Sequence, residues 1–185
     1  MRHVTTSLFD SPMPLPGNTS PDSPRSDNQP QPARLSGYPQ PLTNLFEDQV
    51  IRQPDAIAAV FNNQHLTYRI LNARGNQLAH YLMRQGVGPE TRVGVCFDRS
   101  LELLIGVLGI IKAGGAYVPV DPGLPSQRMA FILEDSSTSI LLTQKHLMNL
   151  PPNHNITSIC LDKDWEHIAG ENPENPIKSS HWESL

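Results

Sequence analysis

A chain of 185 residues suffices for one domain of ordinary size, and a net charge of -4 leaves no surplus of Lys and Arg for a phosphate backbone. A nucleic-acid partner is thereby disfavoured. The longest apolar run, within residues 101–111, is too short for a bilayer span, and the N-terminus lacks the apolar core of a secretory signal. A cytoplasmic protein is the expectation. Cys96 and Cys160 each lie in an apolar strand-like run without CxxC spacing, and read as buried thiols rather than a disulfide.

Residues 1–41 differ in kind from the rest. Nine of the 18 prolines fall there, among Ser, Asn, Gln and Asp. Such a segment buries too little apolar surface to offset its ordering entropy, so a disordered arm or linker is expected. Its proline spacings, Pro12 to Pro16 and Pro21 to Pro24, match a proline-rich ligand only loosely. Order is expected from residue 42. Asn44 and Glu47 have capping-box spacing, with Leu42 placed as a staple. Leu45, Phe46, Val50 and Ile51 would then face a core, and Pro54 closes the helix. IAAVF (57–61), a turn at Asn62-Asn63-Gln64 and His65–Thr67 read as a β-hairpin.

Thr67 is a fitting N-cap for a helix over Tyr68–Gln85. Leu71, Leu78 and Leu82 make its apolar stripe, widened by Ile70 and Tyr81. Arg69, Asn72, Asn76 and His80 form the face expected to point away. Gly75, on the apolar side, hints at close packing, and Gly86 ends the helix. RVGVCF (92–97) is a continuous apolar strand of the kind buried in a parallel sheet.

Leu101 to Asp121 follows as buried helix, glycine stop, strand and proline exit. Ser100 offers an N-cap oxygen, and Glu102 suits the positive helix end. Gly106, Gly109 and Ala113 share spacings of three and four and suggest a closely packed neighbour. Gly114 suits a left-handed C-cap. Lys112 is explained by the helix dipole. Tyr117-Val118 is strand, and Pro125 opens a helix buried through Met129, Ile132 and Leu133. Strands at 139–142 and 156–161, and short helices at 144–149 and 163–169, complete the pattern, which decays from Gly170. Alternation of strand and helix predicts an α/β fold with a largely parallel sheet and right-handed crossovers.

Chemistry is sparse. The histidines (His3, His65, His80, His146, His154, His167, His181) show no HExxH and no metal spacing with cysteine. There is no GxxxxGKS/T and no GxGxxG. Asp98 and Arg99, after the strand at 92–97, stand where ligands often bind, yet an ion pair or a cap for the next helix explains them. Asn18 and Asn155 begin sequons that read as chance matches. No residue is assigned a catalytic, cofactor-binding or metal role.

Two motifs carry a resemblance. LTYRILN (66–72) is similar to the first motif of adenylation domains, usually L-T/S-Y-x-E-L, with Ile70 where Glu is preferred. IKAGGAYVPVD (111–121) matches the second almost residue for residue. From residue 42 to Leu185, including LDKDWEHIA (161–169), the chain resembles the start of an amino-acid-activating domain of nonribosomal peptide synthetases, within the adenylate-forming, AMP-binding ligases. The resemblance implies the opening part of a large N-terminal α/β subdomain. It implies a parent reaction in which ATP and an amino acid give an aminoacyl adenylate and pyrophosphate. The acyl group then passes to the phosphopantetheine thiol of a carrier domain, with Mg2+ assisting.

In the family the phosphate-gripping loop follows the equivalent of SHWESL, and the adenine-stacking, ribose-binding and catalytic lysine residues come later. The expectation is therefore a truncated domain at 42–185, scaffold only and inactive alone. Its partners would be the rest of the adenylation domain with carrier and condensation domains, and neither nucleic acid nor membrane. The alternatives are half of a split enzyme completed in trans, or a non-enzymatic interaction remnant.

Overall fold

The computed structural model describes residues 41–148 and 155–177. The expected N-terminal arm therefore lies outside the described residues, apart from Pro41. In chain order the elements are α1 (Leu42–Arg52), β1 (Ile57–Phe61), β2 (Gln64–Thr67), α2 (Tyr68–Arg84) and β3 (Arg92–Cys96). They continue as α3 (Leu101–Lys112), β4 (Ala116–Pro119), α4 (Ser126–Asp135), β5 (Ile140–Thr143), a 3-10 turn (Lys145–Leu147), β6 (Thr157–Cys160) and α5 (Trp165–Ile168). The expected alternation is present, with boundaries shifted by one to a few residues.

Strands β3 to β6 form one parallel sheet in the order β4-β3-β5-β6. Both faces of β3 are buried, which is why RVGVC reads as an unbroken apolar run. On one face Val93, Val95, Ile140, Leu142, Ile159 and Leu161 join a core with α2, α3 and α5. On the other, Cys96 and Leu141 meet Val120, Met129 and Leu133, the last two from α4. The hairpin β1-β2 stands apart as its own antiparallel sheet, with a bulge between Ile57 and Ala59 that turns Ala58 and Ala59 toward the first core.

The expected caps hold at two helices. Thr67 Oγ1 accepts the Ile70 N–H at 3.3 Å, and Ser100 Oγ accepts the Leu103 N–H at 3.2 Å. Gly114 has φ of +83°, the left-handed stop expected after α3. Helices α2 and α3 cross with reciprocal close contacts. A Cβ on Gly109 would lie 2.7 Å from Leu78, and one on Gly75 would lie 2.7 Å from Leu108. Gly106 does not share that contact; it faces Phe97, Leu142 and Leu161.

Three expectations are corrected. First, α1 has no capping box. Its N-cap is Pro41, whose carbonyl accepts the Asn44 N–H at 2.9 Å, so Asn44 already lies inside the helix. Leu42, Leu45 and Ile51 are exposed, and Thr43 with half-buried Phe46 faces inward instead.

Second, of the expected outward face of α2, Arg69 is exposed and pairs with Asp55, but Asn72, Asn76 and His80 meet another segment of the chain. Asn76 is fully buried, and Nδ2 donates to the Pro173 carbonyl at 2.6 Å. Gln77 donates to the Ala169 carbonyl at 2.6 Å, and His80 Nε2 lies 3.1 Å from the Glu174 carbonyl. Arg84 pairs with Glu171, and Arg74 stacks over Trp165. Residues 169–177, where periodicity decays, thus lie along α2.

Third, Lys112 does more than complement a dipole. Its buried ammonium meets Glu47 at 2.6 Å and the Asn175 side-chain oxygen at 3.2 Å. Glu47 serves this pair rather than a cap.

Candidate functional site

In a parallel sheet, ligands sit beyond the carboxyl ends of the strands, so that rim is where chemistry is sought. Strand β3 delivers Phe97, Asp98 and Arg99, and β5 delivers Gln144 and His146. The loop after β4 delivers Asp121, and β6 leads into Asp162 and Asp164.

Most of these polar groups have a local duty, while Arg99 is exposed. The Asp98 N–H donates to Gln144 Oε1 at 3.0 Å, tying β3 to β5. Asp98 Oδ2 lies 2.9 Å from His146 Nε2, so the side chain met by Asp98 is His146 rather than Arg99. Forty-eight residues separate the two, and only the parallel pairing of β3 with β5 brings them together. Asp162 accepts the Lys145 N–H through both oxygens, at 2.9 and 3.1 Å. Asp164 accepts the Cys160 N–H at 2.9 Å, and Asp121 closes a turn on the Gly123 N–H at 2.8 Å.

A histidine-carboxylate pair acts as a base only when a nucleophile touches the ring. The thiols nearest this rim are buried, and neither is disulfide-bonded. Burial raises the Cys96 pKa above that of a free thiol, opposed by the Thr143 side-chain hydrogen bond and aided by Asp121 and Asp98. Burial likewise raises Cys160, with Asp164 and Asp162 adding to it, and its S–H donates to Met148 Sδ at 3.0 Å. Raised thiol pKa values suit packing, since the thiolate is the nucleophile.

The rim's N–H groups at Asp98 and Lys145 are taken by Gln144 and Asp162, and Asp98, Asp121, Asp162 and Asp164 stand there beside the exposed cations Arg99 and Lys145. A phosphate cradle needs convergent free N–H groups and a cation. Among the described residues no group of three or more His, Cys, Asp or Glu is placed to hold a metal.

The first sequence motif lies away from this rim, and the second reaches it only at its last residue, Asp121. LTYRILN runs from β2 into α2 through the Thr67 cap, and Ile70 is exposed where Glu is preferred. IKAGGAYVPVD runs from the end of α3 through Gly114 into β4, and so sets the link between the buried helix and the sheet edge. A family model described as AMP-binding enzyme matches residues 46–183.

The chain belongs to the AMP-binding enzyme family.

Tyrocidine synthase 3 of Brevibacillus parabrevis is 49% identical over 137 residues, which are 72% of this chain and 2% of that protein. Zwittermicin A synthase ZmaJ of Bacillus cereus is 49% identical over 108 residues, 58% of this chain and 21% of that protein. Among solved structures, the nonribosomal peptide synthetase FmoA3 is 33% identical, with a TM-score of 0.67, over 74% of this chain and 15% of that chain. The N-terminal subdomain of Klebsiella oxytoca NpsA, 22% identical with a TM-score of 0.63 over 74% of this chain and 34% of its own, supports the fold alone. The chain thus spans a small part of the length of the AMP-binding relatives it matches. Its sheet and flanking helices are those of the N-terminal subdomain of nonribosomal peptide synthetase adenylation domains.

Proposed function

We propose that this chain is the N-terminal part of an amino-acid-activating adenylation domain of a nonribosomal peptide synthetase. The parent reaction joins ATP and an amino acid into an aminoacyl adenylate with release of pyrophosphate. The acyl group is then passed to the phosphopantetheine thiol of a carrier domain. The observation that carries this is a co-linear match at 49% identity over 137 residues to tyrocidine synthase 3. FmoA3 has been solved with AMPPNP, which supports ATP as the nucleotide of the complete domain.

Residues 1–185 supply scaffold in this reading. The adenylate chemistry is assigned in this reading to residues outside this stretch, since the rim N–H groups at Asp98 and Lys145 are already bonded to Gln144 and Asp162. Partners are the remainder of the adenylation domain and its carrier and condensation domains. A cytoplasmic setting accompanies this role; among the described residues no helix is long and apolar enough to cross a membrane.

The test is ATP–pyrophosphate exchange. Purified 1–185 should give none with any amino acid. The same chain, joined to or mixed with a polypeptide that begins at the phosphate loop, should exchange with one. Exchange by 1–185 alone would overturn the scaffold assignment. Activity only on mixing would identify a split enzyme. Silence in both arrangements, with the mixture folded, would favour an interaction remnant.

A further inference from the structure

The segment lying on α2 is attached in an unusual manner. From Ala169 to Asn175 its residues are exposed or half-buried, and Ile177 is 92% exposed. Its apolar anchors are only the ends: Ile168 on one side and Pro176 on the other. Between them the hold is polar. Side chains of α2 reach out to main-chain carbonyls, Gln77 to Ala169, Asn76 to Pro173 and His80 to Glu174.

One atom gathers the rest. Asn175 Oδ1 accepts from Asn72 Nδ2 at 3.1 Å, Asn76 Nδ2 at 2.9 Å and Lys112 Nζ at 3.2 Å. A carboxamide oxygen has two lone pairs, so three donors exhaust it. It is also the point where the segment touches both α2 and α3.

Closing this segment has a cost built into it. Asn72 Oδ1 and Asn76 Oδ1 are buried without a hydrogen-bond partner among the described residues. A carbonyl oxygen removed from water without compensation disfavours the closed state. Beneath it, the stripe of Leu71, Leu78 and Leu82 belongs to a cluster with α3 and Ile168 that takes in no residue of 169–177. Few buried apolar contacts over a self-sufficient core describe a unit that opens locally.

We propose that residues 169–177 form a strap that opens and closes on α2 while the core stays folded, with Asn175 Oδ1 as its lock. The strap thereby sets whether Asn72, Asn76 and Lys112 are covered or open to water. Opening leaves the buried Lys112 compensated, since Glu47 remains at 2.6 Å.

Limited proteolysis of the full 185-residue chain by a glutamate-specific protease, followed by mass spectrometry, tests this. Cleavage after Glu171 and Glu174 should be at least about tenfold faster than after Glu102 in α3. Asn175→Leu should speed cleavage after Glu171 and Glu174 by about tenfold or more and leave Glu102 unchanged. Asn175→Asp, which keeps an acceptor oxygen, should cleave at about the parent rate, and Asn72→Ala should show a smaller rise than Asn175→Leu. Unchanged cleavage after Glu171 and Glu174 in Asn175→Leu would overturn Asn175 as the lock. A parallel rise after Glu102, or loss of cooperative folding in that variant, would overturn the independence of the strap.

Discussion

Two glycines that look alike in sequence differ in what they tolerate. At Gly109 an added Cβ meets the Cγ and Cβ of Leu78 at 2.7 and 2.9 Å, atoms that cannot swing aside. At Gly75 the Cδ2 and Cγ of Leu108 lie at 2.7 and 2.9 Å, but its Cβ stands clear at 3.6 Å, so that side chain can turn about χ1. Gly109→Ala should therefore cost about 1–3 kcal/mol through overpacking. Gly75→Ala should cost less, with helix propensity returning up to ~1 kcal/mol at either site. Urea midpoints of the two variants check the contrast, and equal losses would contradict it. Lys112 sets a second contrast. Glu47→Leu leaves a buried ammonium short of its carboxylate and should cost about 3 kcal/mol. Adding Lys112→Met to Glu47→Leu should recover most of that loss in a double-mutant cycle. Neither effect was legible in the sequence. Glu47 had a ready local explanation as a capping residue and Lys112 as a helix-end charge, and their meeting depends on how α1 and α3 pack.

Elements were legible where their signals are local. Ser100 and Thr67 precede apolar periodic runs, and each caps the helix that follows. Ser100→Ala should cost about 1 kcal/mol, read from the thermal midpoint, and Ser100→Asp should restore it. The same reasoning failed at Asn44, because Pro41 offers its carbonyl three residues earlier and the helix starts there. It failed again on α2. Asn72, Asn76 and His80 satisfy the period of an outward face, and period alone cannot tell water from a polar segment of the same chain. The sequence of 169–177 has no helix or strand period, only the tandem Glu-Asn-Pro of 171–176, since it is positioned by the side chains of α2 rather than by its own backbone pairing. The Asp98–His146 pair was missed for a related reason, because strand order in a parallel sheet is not written in any one strand.

At the scale of the molecule, both thiols should shape the response to alkali. A folded-state pKa above that of the unfolded chain means that stability is complete below the ordinary thiol value, about 8.5, and declines as pH rises through it toward the folded value. Urea midpoints between pH 7 and 10 should fall more steeply for the parent chain than for the Cys96→Ala, Cys160→Ala variant. Equal slopes would remove the thiols as the cause. Among the described residues β4 and β6 stand at the two margins of the sheet, and Tyr117 on β4 and Phe131 on α4 are exposed.

The notch at Gly109 has one more effect. Leu78 seats there while Leu108 seats at Gly75, so sliding α3 along α2 by a turn, about 5.4 Å, would drive both leucines into backbone flanked by larger side chains. The pair works as a gauge of axial position. Because α3 stops at Gly114 and β4 leaves directly afterward, locking α3 also dictates that Ala116 lands opposite Arg92 and Tyr117 opposite Val93. Helix α2 carries the seats for 169–177 as well. A single pair of interlocked leucines thus indexes both the first margin of the sheet and the path by which the chain departs.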